Sequence, residues 1–135
     1  MRIVLLGLAG AGKGTQAQML ARRLQLPFVS SGDLFRYHQA QATELGLLAK
    51  GYMERGELVP DEVTIRMVLD RIGTEGCRNG FILDGFPRTT AQAKALDDAV
   101  GDANIDYALY VKVSEKELVH RLSGRVSCRQ CGTPY

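Results

Sequence analysis

Residues 7–15 have the sequence Gly-Leu-Ala-Gly-Ala-Gly-Lys-Gly-Thr, and they follow a short apolar run at residues 3–6 that is typical of a buried strand. After them, apolar residues recur from Ala17 to Leu24 at the i, i+3, i+4, i+7 spacing of one helix face. Glycines let the backbone curl so that N–H groups converge, the helix start adds free N–H groups, and Lys13 adds a positive charge. This order predicts a loop that binds the phosphates of a nucleoside triphosphate.

The general pattern for such loops is G-x-x-x-x-G-K followed by Ser or Thr. Gly7, Gly12 and Lys13 fit this pattern, whereas Gly14 takes the hydroxyl position and Thr15 follows one place later. A glycine-rich turn used only for packing is the alternative. The position of Lys13 and the agreement of both flanks favour the phosphate-binding interpretation.

The bulk composition is ordinary for one globular domain. The 135 residues are 45% hydrophobic and 24% charged with a net charge of +2, which gives no general attraction to nucleic acid or membranes. No apolar run approaches the ~18 residues of a membrane span, a strand begins at Arg2 without a preceding signal peptide, and three cysteines are too few for a disulfide scaffold. We therefore expect a cytoplasmic enzyme without nucleic-acid or membrane partners.

The order of elements predicts an α/β fold. Apolar strand patterns at 3–6, 26–30, 81–84 and 107–113 alternate with helical patterns, which predicts a parallel sheet between two helical layers. The segment between the second strand and Asp61 is longer than a crossover needs. We expect residues 30–59 to form a helical excursion over the carboxyl edge of the sheet, where ligands bind in such folds.

Two helical patterns carry more detailed expectations. Residues 34–55 look helical but interrupted, with Gly46 and Gly51 as the weak points. The helix that begins near Asp61 is expected to carry apolar residues that share one face. That face contains Ile65, Val68, Leu69 and Ile72.

Asp84 and Arg88 flank a Gly-Phe-Pro turn after the third strand. A carboxylate at the end of a buried strand, such as that of Asp84, can hold Mg²⁺ or its waters near the glycine loop, although a strand-end cap is the alternative. The guanidinium of Arg88 suits phosphate because it can bind two oxygens at once; a solvent-facing arginine is the alternative.

Several polar residues near helix starts can have a purely structural role. Ser30 with Asp33, and Thr89 with Gln92, fit the spacing of capping boxes. Arg36, one turn into its helix, is placed either to reach a second phosphate or to remain solvated.

The last part of the chain carries two further pairs. Arg121 and Arg125 lie i, i+4 on the last helix, where an anion between them would offset their repulsion, and a solvated basic face is equally compatible with the spacing. Cys128 and Cys131 form half of a structural zinc site, which needs four ligands. A redox pair is the less favoured alternative.

Together these motifs resemble the adenylate kinase family, in order and spacing, over the whole chain. The resemblance rests on residues 7–15, 31–36, 81–88 with Gln92, and 124–126, and the Asp-Gly-Phe-Pro-Arg segment is the most specific of them. It implies a P-loop core at 1–29 and 60–123, a nucleoside-monophosphate-binding segment at 30–59, and the start of a lid at 124–135. Ala9 and Ser31 stand where the family usually has Pro and Thr.

The resemblance also implies the reaction and the residues involved. The family transfers the terminal phosphoryl of ATP to AMP with Mg²⁺, giving two ADP. Catalytic roles would fall to Lys13, Asp84, Arg88 and Arg125. ATP would contact Gly10, Ala11, Gly12, Lys13, Gly14, Thr15, Arg121 and Arg125. AMP would contact Ser31, Arg36, Glu57, Leu58, Val59, Gly85, Phe86, Pro87, Arg88 and Gln92, with Gln92 on the adenine. The cysteine pair would begin a lid zinc site.

The family pattern continues beyond residue 135 through the rest of the lid, a final strand and a helix. We therefore expect an N-terminal portion of such an enzyme, inactive or nearly so as it stands, monomeric when complete, and with zinc only if the lid is completed. The alternatives are a UMP/CMP or other nucleoside-monophosphate kinase and a nucleotide-binding fragment without catalysis.

Overall fold

The computed structural model describes residues 1–55, 57–124, 126 and 128–130. The strands are β1 (Arg2–Leu6), β2 (Phe28–Ser30), β3 (Phe81–Asp84) and β4 (Tyr107–Tyr110). The α-helices are α1 (Lys13–Leu24), α2 (Ser31–Ala40), α3 (Glu44–Glu54), α4 (Asp61–Ile72), α5 (Thr90–Val100) and α6 (Glu115–Ser123). Short 3₁₀ helices occupy Glu75–Cys77 and Gly101–Ala103.

The four strands form one parallel sheet in the order β2-β3-β1-β4. In register, Asp84 lies opposite Leu5 on one side and opposite Ser30 on the other. The carboxyl ends of β1, β2 and β3 therefore meet at one edge, so the residues that follow them share one location. This confirms the predicted α/β fold.

Alternate strand residues face opposite helical layers. Ile3, Leu5 and Ile82 pack with Ala17 and Ala21 of α1 on one side of the sheet. The residues between them pack on the other side with α4 and α5. That second cluster contains Val4, Val29, Val68, Leu83, Phe86 and Leu96. Burying each large side chain contributes roughly 1.5–3 kcal/mol, so both clusters hold the sheet between its helices, as predicted.

The break between α2 and α3 differs from the prediction. It falls at residues 41–43, where Ala42 has φ 49° and Thr43 caps α3 through its Oγ1, whereas Gly46 and Gly51 both lie inside α3. A Cβ on Gly46 would lie 2.1 Å from the His38 carbonyl oxygen, because α2 and α3 approach closely there. Gly46 therefore permits helix packing, and the prediction of a break at it was wrong.

The apolar face predicted for α4 is one of two sides that the helix buries. Val68 packs into the main core with Ile65 and Ile72 beside it, but Val63 and Met67 pack on a second side against Ala49 of α3. A helix covered on two sides buries a wider stripe than its strongest apolar period indicates.

The remaining differences are in strand length and exposure. β2 begins at Phe28 and β4 ends at Tyr110, each shorter than its apolar pattern. All four residues of β4, an outer strand of the described sheet, are exposed. Within the described ranges, we find no helix with the length and apolar character that a membrane crossing would need.

Candidate functional site

The glycine loop between β1 and α1 adopts a backbone that only glycine accommodates well. Gly7, Gly10 and Gly12 have φ values of 141°, 82° and 89°, in the region that L residues rarely adopt. A Cβ on Gly7 would lie 2.6 Å from the Val111 carbonyl oxygen, and one on Gly10 would lie 3.1 Å from Leu122 Cγ. The loop conformation thus depends on these glycines, and Gly10 lies close to Leu122 of α6.

Lys13 and Gly14 begin α1 beside the end of β3. Lys13 Nζ donates to the Leu8 carbonyl oxygen at 2.8 Å, which holds the side chain over the loop. A Cβ on Gly14 would lie 3.3 Å from Asp84 Oδ2. Glycine at the usual hydroxyl position therefore brings the start of α1 directly against the Asp84 carboxylate.

Asp84 carries a partly buried carboxylate whose pKa is raised. Burial raises its pKa above the ordinary value of 3.8, whereas the positive charges of Lys13 and Arg88 oppose that rise. Its Oδ1 is buried and has no hydrogen-bond partner within the described part of the chain. An oxygen in this state is suited to a cation or a cation-bound water, because burial of a carboxylate is costly until it is coordinated or paired.

The turn after β3 carries the second group of predicted residues. The Gly85 carbonyl oxygen accepts hydrogen bonds from Ser31 Oγ at 2.9 Å and from Arg88 Nε at 2.8 Å. Gly85 has φ 78°, and the peptide bond between Phe86 and Pro87 is cis. The hydrogen bond from Nε to the Gly85 carbonyl oxygen orients the Arg88 guanidinium.

Arg36 lies on the same side, on α2. Its guanidinium pairs with Asp33, one turn earlier, and the side chain is half exposed. Ser30 Oγ caps α2 by accepting from the Asp33 N–H, so the predicted cap is confirmed. Asp33 also pairs with Arg36 at the i, i+3 spacing of a helix ion pair, which the predicted cap did not include.

Gln92 is buried, 5% exposed, in a network at the start of α5. Its Oε1 accepts from the Arg88 N–H, and its Nε2 donates to Asp61 Oδ1. Thr89 caps α5 by accepting from the Gln92 N–H, as predicted, and donates through its hydroxyl to Asp61 Oδ2. The sequence indicates only that a helix begins near Asp61, and no local pattern indicates its distant partners.

A cleft of about 730 Å³ unites most of the predicted residues. Its lining includes Gly10, Gly12, Lys13, Gly14, Thr15, Ser31, Arg36, Asp84, Gly85, Arg88 and Arg121. It also includes Gln18 and Phe28, which no motif indicated. A second cavity, of about 560 Å³, lies at the amino ends of β1 and β3 and shares no residue with the cleft.

The other predicted residues lie outside the cleft lining. Ala11 and Phe86 are buried, Glu57 pairs with Arg55 at 2.9 Å, and Leu58 is 95% exposed. Val59 packs partly against the cluster between α3 and α4. Pro87 and Gln92 are absent from the lining as well.

The basic and cysteine pairs near residue 130 are described only in part. Arg121 lines the cleft, while its Nε donates to Glu117 Oε1 at 2.7 Å, and this hydrogen bond lowers the pKa of Glu117. Arg125 and Cys131 lie outside the described residues. Cys128 is described as a free thiol, and the described ranges contain no group of three potential metal-binding side chains.

Comparison with known proteins gives one consistent result. The family model for adenylate kinase matches residues 5–129. Curated proteins named adenylate kinase from Agathobacter rectalis and Alkaliphilus oremlandii are each 51% identical to the chain and are matched over 100% of it. One from Staphylococcus aureus is equally similar. The chain spans about 64% of the length of these relatives.

Proposed function

The chain belongs to the adenylate kinase family, and on that premise we propose that its cleft binds ATP and AMP for reversible transfer of the terminal phosphoryl group, giving two ADP. The observation that supports this most directly is that one cleft holds the glycine loop and two arginines, Arg36 and Arg88. A phosphate loop alone suits one nucleotide, and the facing arginines supply charge for a second anion.

The donor side, which we define as residues 10–15 with Arg121 and Arg125, would hold ATP. Its converging N–H groups and Lys13 suit the outer phosphates. MgATP is the proposed form of the substrate, and Asp84 would hold Mg²⁺ or its waters, since its buried Oδ1 is unpartnered in the described structure. Bound there, the ion would neutralise charge that develops on the phosphates.

The acceptor side, which we define as Ser31, Arg36, residues 57–59, residues 85–88 and Gln92, would hold AMP. Arg36 and Arg88 would bind its phosphate and Gln92 its adenine. Residues 57–59, Phe86, Pro87 and Gln92 lie outside the cleft lining, so their contact with AMP requires the acceptor side to rearrange.

Phosphoryl transfer needs alignment, charge neutralisation and exclusion of water more than covalent help from the protein. Lys13 and Arg88, with Arg125, would provide the positive charge between the two nucleotides. The charges of Lys13 and Arg88 already act on Asp84, because both oppose the rise in its pKa that burial causes. A closing lid would exclude water and so prevent hydrolysis of ATP.

We also propose the division into a core at 1–29 and 60–123, a monophosphate-binding segment at 30–59 and a lid that starts at 124. The proposed setting is a cytoplasmic, monomeric enzyme. A structural zinc ion is left out of this proposal, because only Cys128 of the cysteine pair lies within the described residues and no group of three ligands occurs among them.

Titration of the purified chain with a bisubstrate dinucleotide, two adenosines joined by a polyphosphate, tests whether both halves form one site. We expect it to bind more tightly than ATP or AMP alone, because one ligand would occupy both sides. Binding no tighter than that of ATP would contradict the two-nucleotide site. AMP and CMP, compared as second ligands in the presence of ATP, distinguish adenylate kinase from a UMP/CMP kinase.

A further inference from the structure

The side-chain amide of Gln92 lies between two groups with opposite hydrogen-bonding character. Its Oε1 accepts from the Arg88 main-chain N–H at 2.8 Å, and its Nε2 donates to Asp61 Oδ1 at 2.7 Å. A backbone N–H can only donate, and a carboxylate can only accept. A half-turn of the amide would place nitrogen against the N–H and oxygen against the carboxylate, so both hydrogen bonds would be lost.

Asp61 is itself held in place. It is the first residue of α4, and its second oxygen, Oδ2, accepts from the Thr89 hydroxyl at 2.7 Å. Thr89 is the N-cap of α5, so the carboxylate joins the first turns of two helices. Because Gln92 is only 5% exposed, water has little access to replace either bond.

With these partners engaged, the amide retains one N–H and one lone pair of Oε1 for a ligand. The edge of adenine presents an amino donor beside the N1 acceptor, which matches this pair. Hypoxanthine, the base of IMP, presents the reverse: an O6 acceptor beside an N1–H donor. Recognition of hypoxanthine would require the amide to turn.

We infer that Asp61 is a positioning residue that fixes the Gln92 amide in one orientation and thereby makes the acceptor side select adenine over hypoxanthine. The inference rests on the proposed function, in which Gln92 contacts the base of AMP. Asp61 does not itself touch the nucleotide in this assignment. It acts through the amide that it orients.

The test is the ratio of dissociation constants for IMP and AMP, measured by calorimetry on the purified chain. We expect Asp61→Ala to lower the preference for AMP about tenfold, because the Arg88 N–H alone would then favour one orientation of the amide. A merely structural role would weaken AMP and IMP equally and leave the ratio unchanged, which would overturn the inference. Glu62→Ala is the matched control, since it also removes an acid from the first turn of α4 but lies exposed and away from Gln92.

Asp61→Asn provides a second variant if alanine disturbs folding. Its side chain keeps the size of aspartate but offers either a donor or an acceptor to Gln92, so we again expect the ratio to fall. A ratio equal to that of the unmodified chain would contradict the inference.

A measurement without nucleotide separates this inference from the proposed function. In ¹⁵N–¹H spectra of the unmodified chain, one Nε2 proton of Gln92 should exchange slowly with solvent, and in Asp61→Ala it should exchange much faster. Identical exchange in both proteins would overturn the fixed amide. Failure of the unmodified chain to bind AMP, with the exchange difference intact, would instead overturn the assignment of the acceptor site.

Discussion

The donor and acceptor sides of the cleft are built in different ways. On the donor side, the main chain sets the conformation of the loop: Gly10 and Gly12 have positive φ, and the predicted ligands are mostly N–H groups. On the acceptor side, hydrogen bonds made by side chains hold the conformation. Arg88 is held by the Gly85 carbonyl oxygen, and Gln92 lies between Arg88 and Asp61.

The difference determines how each side tolerates change. A backbone site loses its form when a Cβ is added, whereas a site built from side chains loses its form when a donor or acceptor is removed. Lys13 and Arg88 are the residues through which each side contributes a positive charge to the cleft. Substitutions at these positions therefore test whether each side can be weakened without weakening nucleotide binding at the other.

Replacing Lys13 with Met should have the largest effect. In a form of the protein that turns over ATP and AMP, we expect the rate to fall roughly 100- to 1,000-fold, since loss of a group that stabilises transition-state charge has about this cost. Lys50→Met is the control, because Lys50 is an exposed lysine paired with Glu54 on α3. Unchanged ADP formation in the Lys13 variant would remove Lys13 from the mechanism.

Arg88→Ala should affect the acceptor side specifically. A hydrogen bond to a charged group contributes about 1.5–3 kcal/mol, so we expect AMP affinity to fall about 10- to 100-fold together with the rate. Titration with AMP and with ATP separates the two sides, and Arg66→Ala on the exposed surface of α4 serves as control. An effect confined to ATP affinity would place Arg88 on the donor side instead.

The fold could be predicted from local patterns because its strands and helices alternate and carry clear apolar periods. Local patterns gave an incomplete or wrong result where tertiary packing overrides local propensity. Gly46 looked like a break, yet it allows α2 to approach α3, and the second buried side of α4 exists only because α3 covers it. Neither fact is visible in the spacing of residues along one element.

The site could be predicted where a motif carries its own geometry. The loop at residues 7–15 and the turn at 85–88 meet at the sheet edge because their strands, β1 and β3, are neighbours. Asp61, by contrast, acts on residues about thirty positions away in sequence. Such a partner is determined by the packing of α4 beside α5, which sequence reasoning could not supply.

Adding a methyl group at Gly85 should show that the acceptor turn, too, has a backbone requirement. Gly85 has φ 78°, and its Cβ would lie 2.5 Å from Ser31 Oγ. We expect Gly85→Ala to lower the free energy of unfolding by about 2 kcal/mol, from left-handed strain and displacement of Ser31. Gly76→Ala is the control, because a Cβ there meets nothing within 4 Å. Equal stability of the two variants in urea would contradict this requirement.

Asp84→Asn should give the smallest effect, and it should raise the stability of the folded chain where Gly85→Ala lowers it. Burial raises the pKa of Asp84, so the folded state holds the proton more firmly than the unfolded state does. The ionised carboxylate therefore costs stability above the folded-state pKa, and this cost disappears as the pH falls through that pKa toward 3.8. We expect the variant to have a higher Tm than the unmodified chain at pH 7 without nucleotide, and the gain to vanish near pH 4.

The same Asp84→Asn variant should also bind MgATP less well. If Asp84 holds Mg²⁺ or its waters beside the donor side, the amide weakens the stabilisation of the chain by MgATP while leaving that by AMP unchanged. Melting curves with each ligand, at pH 7, measure both effects on one sample. A variant that is less stable than the unmodified chain at pH 7 would show that attraction from Lys13 and Arg88 outweighs the cost of burial. The pKa of Asp84 would then be lowered and not raised.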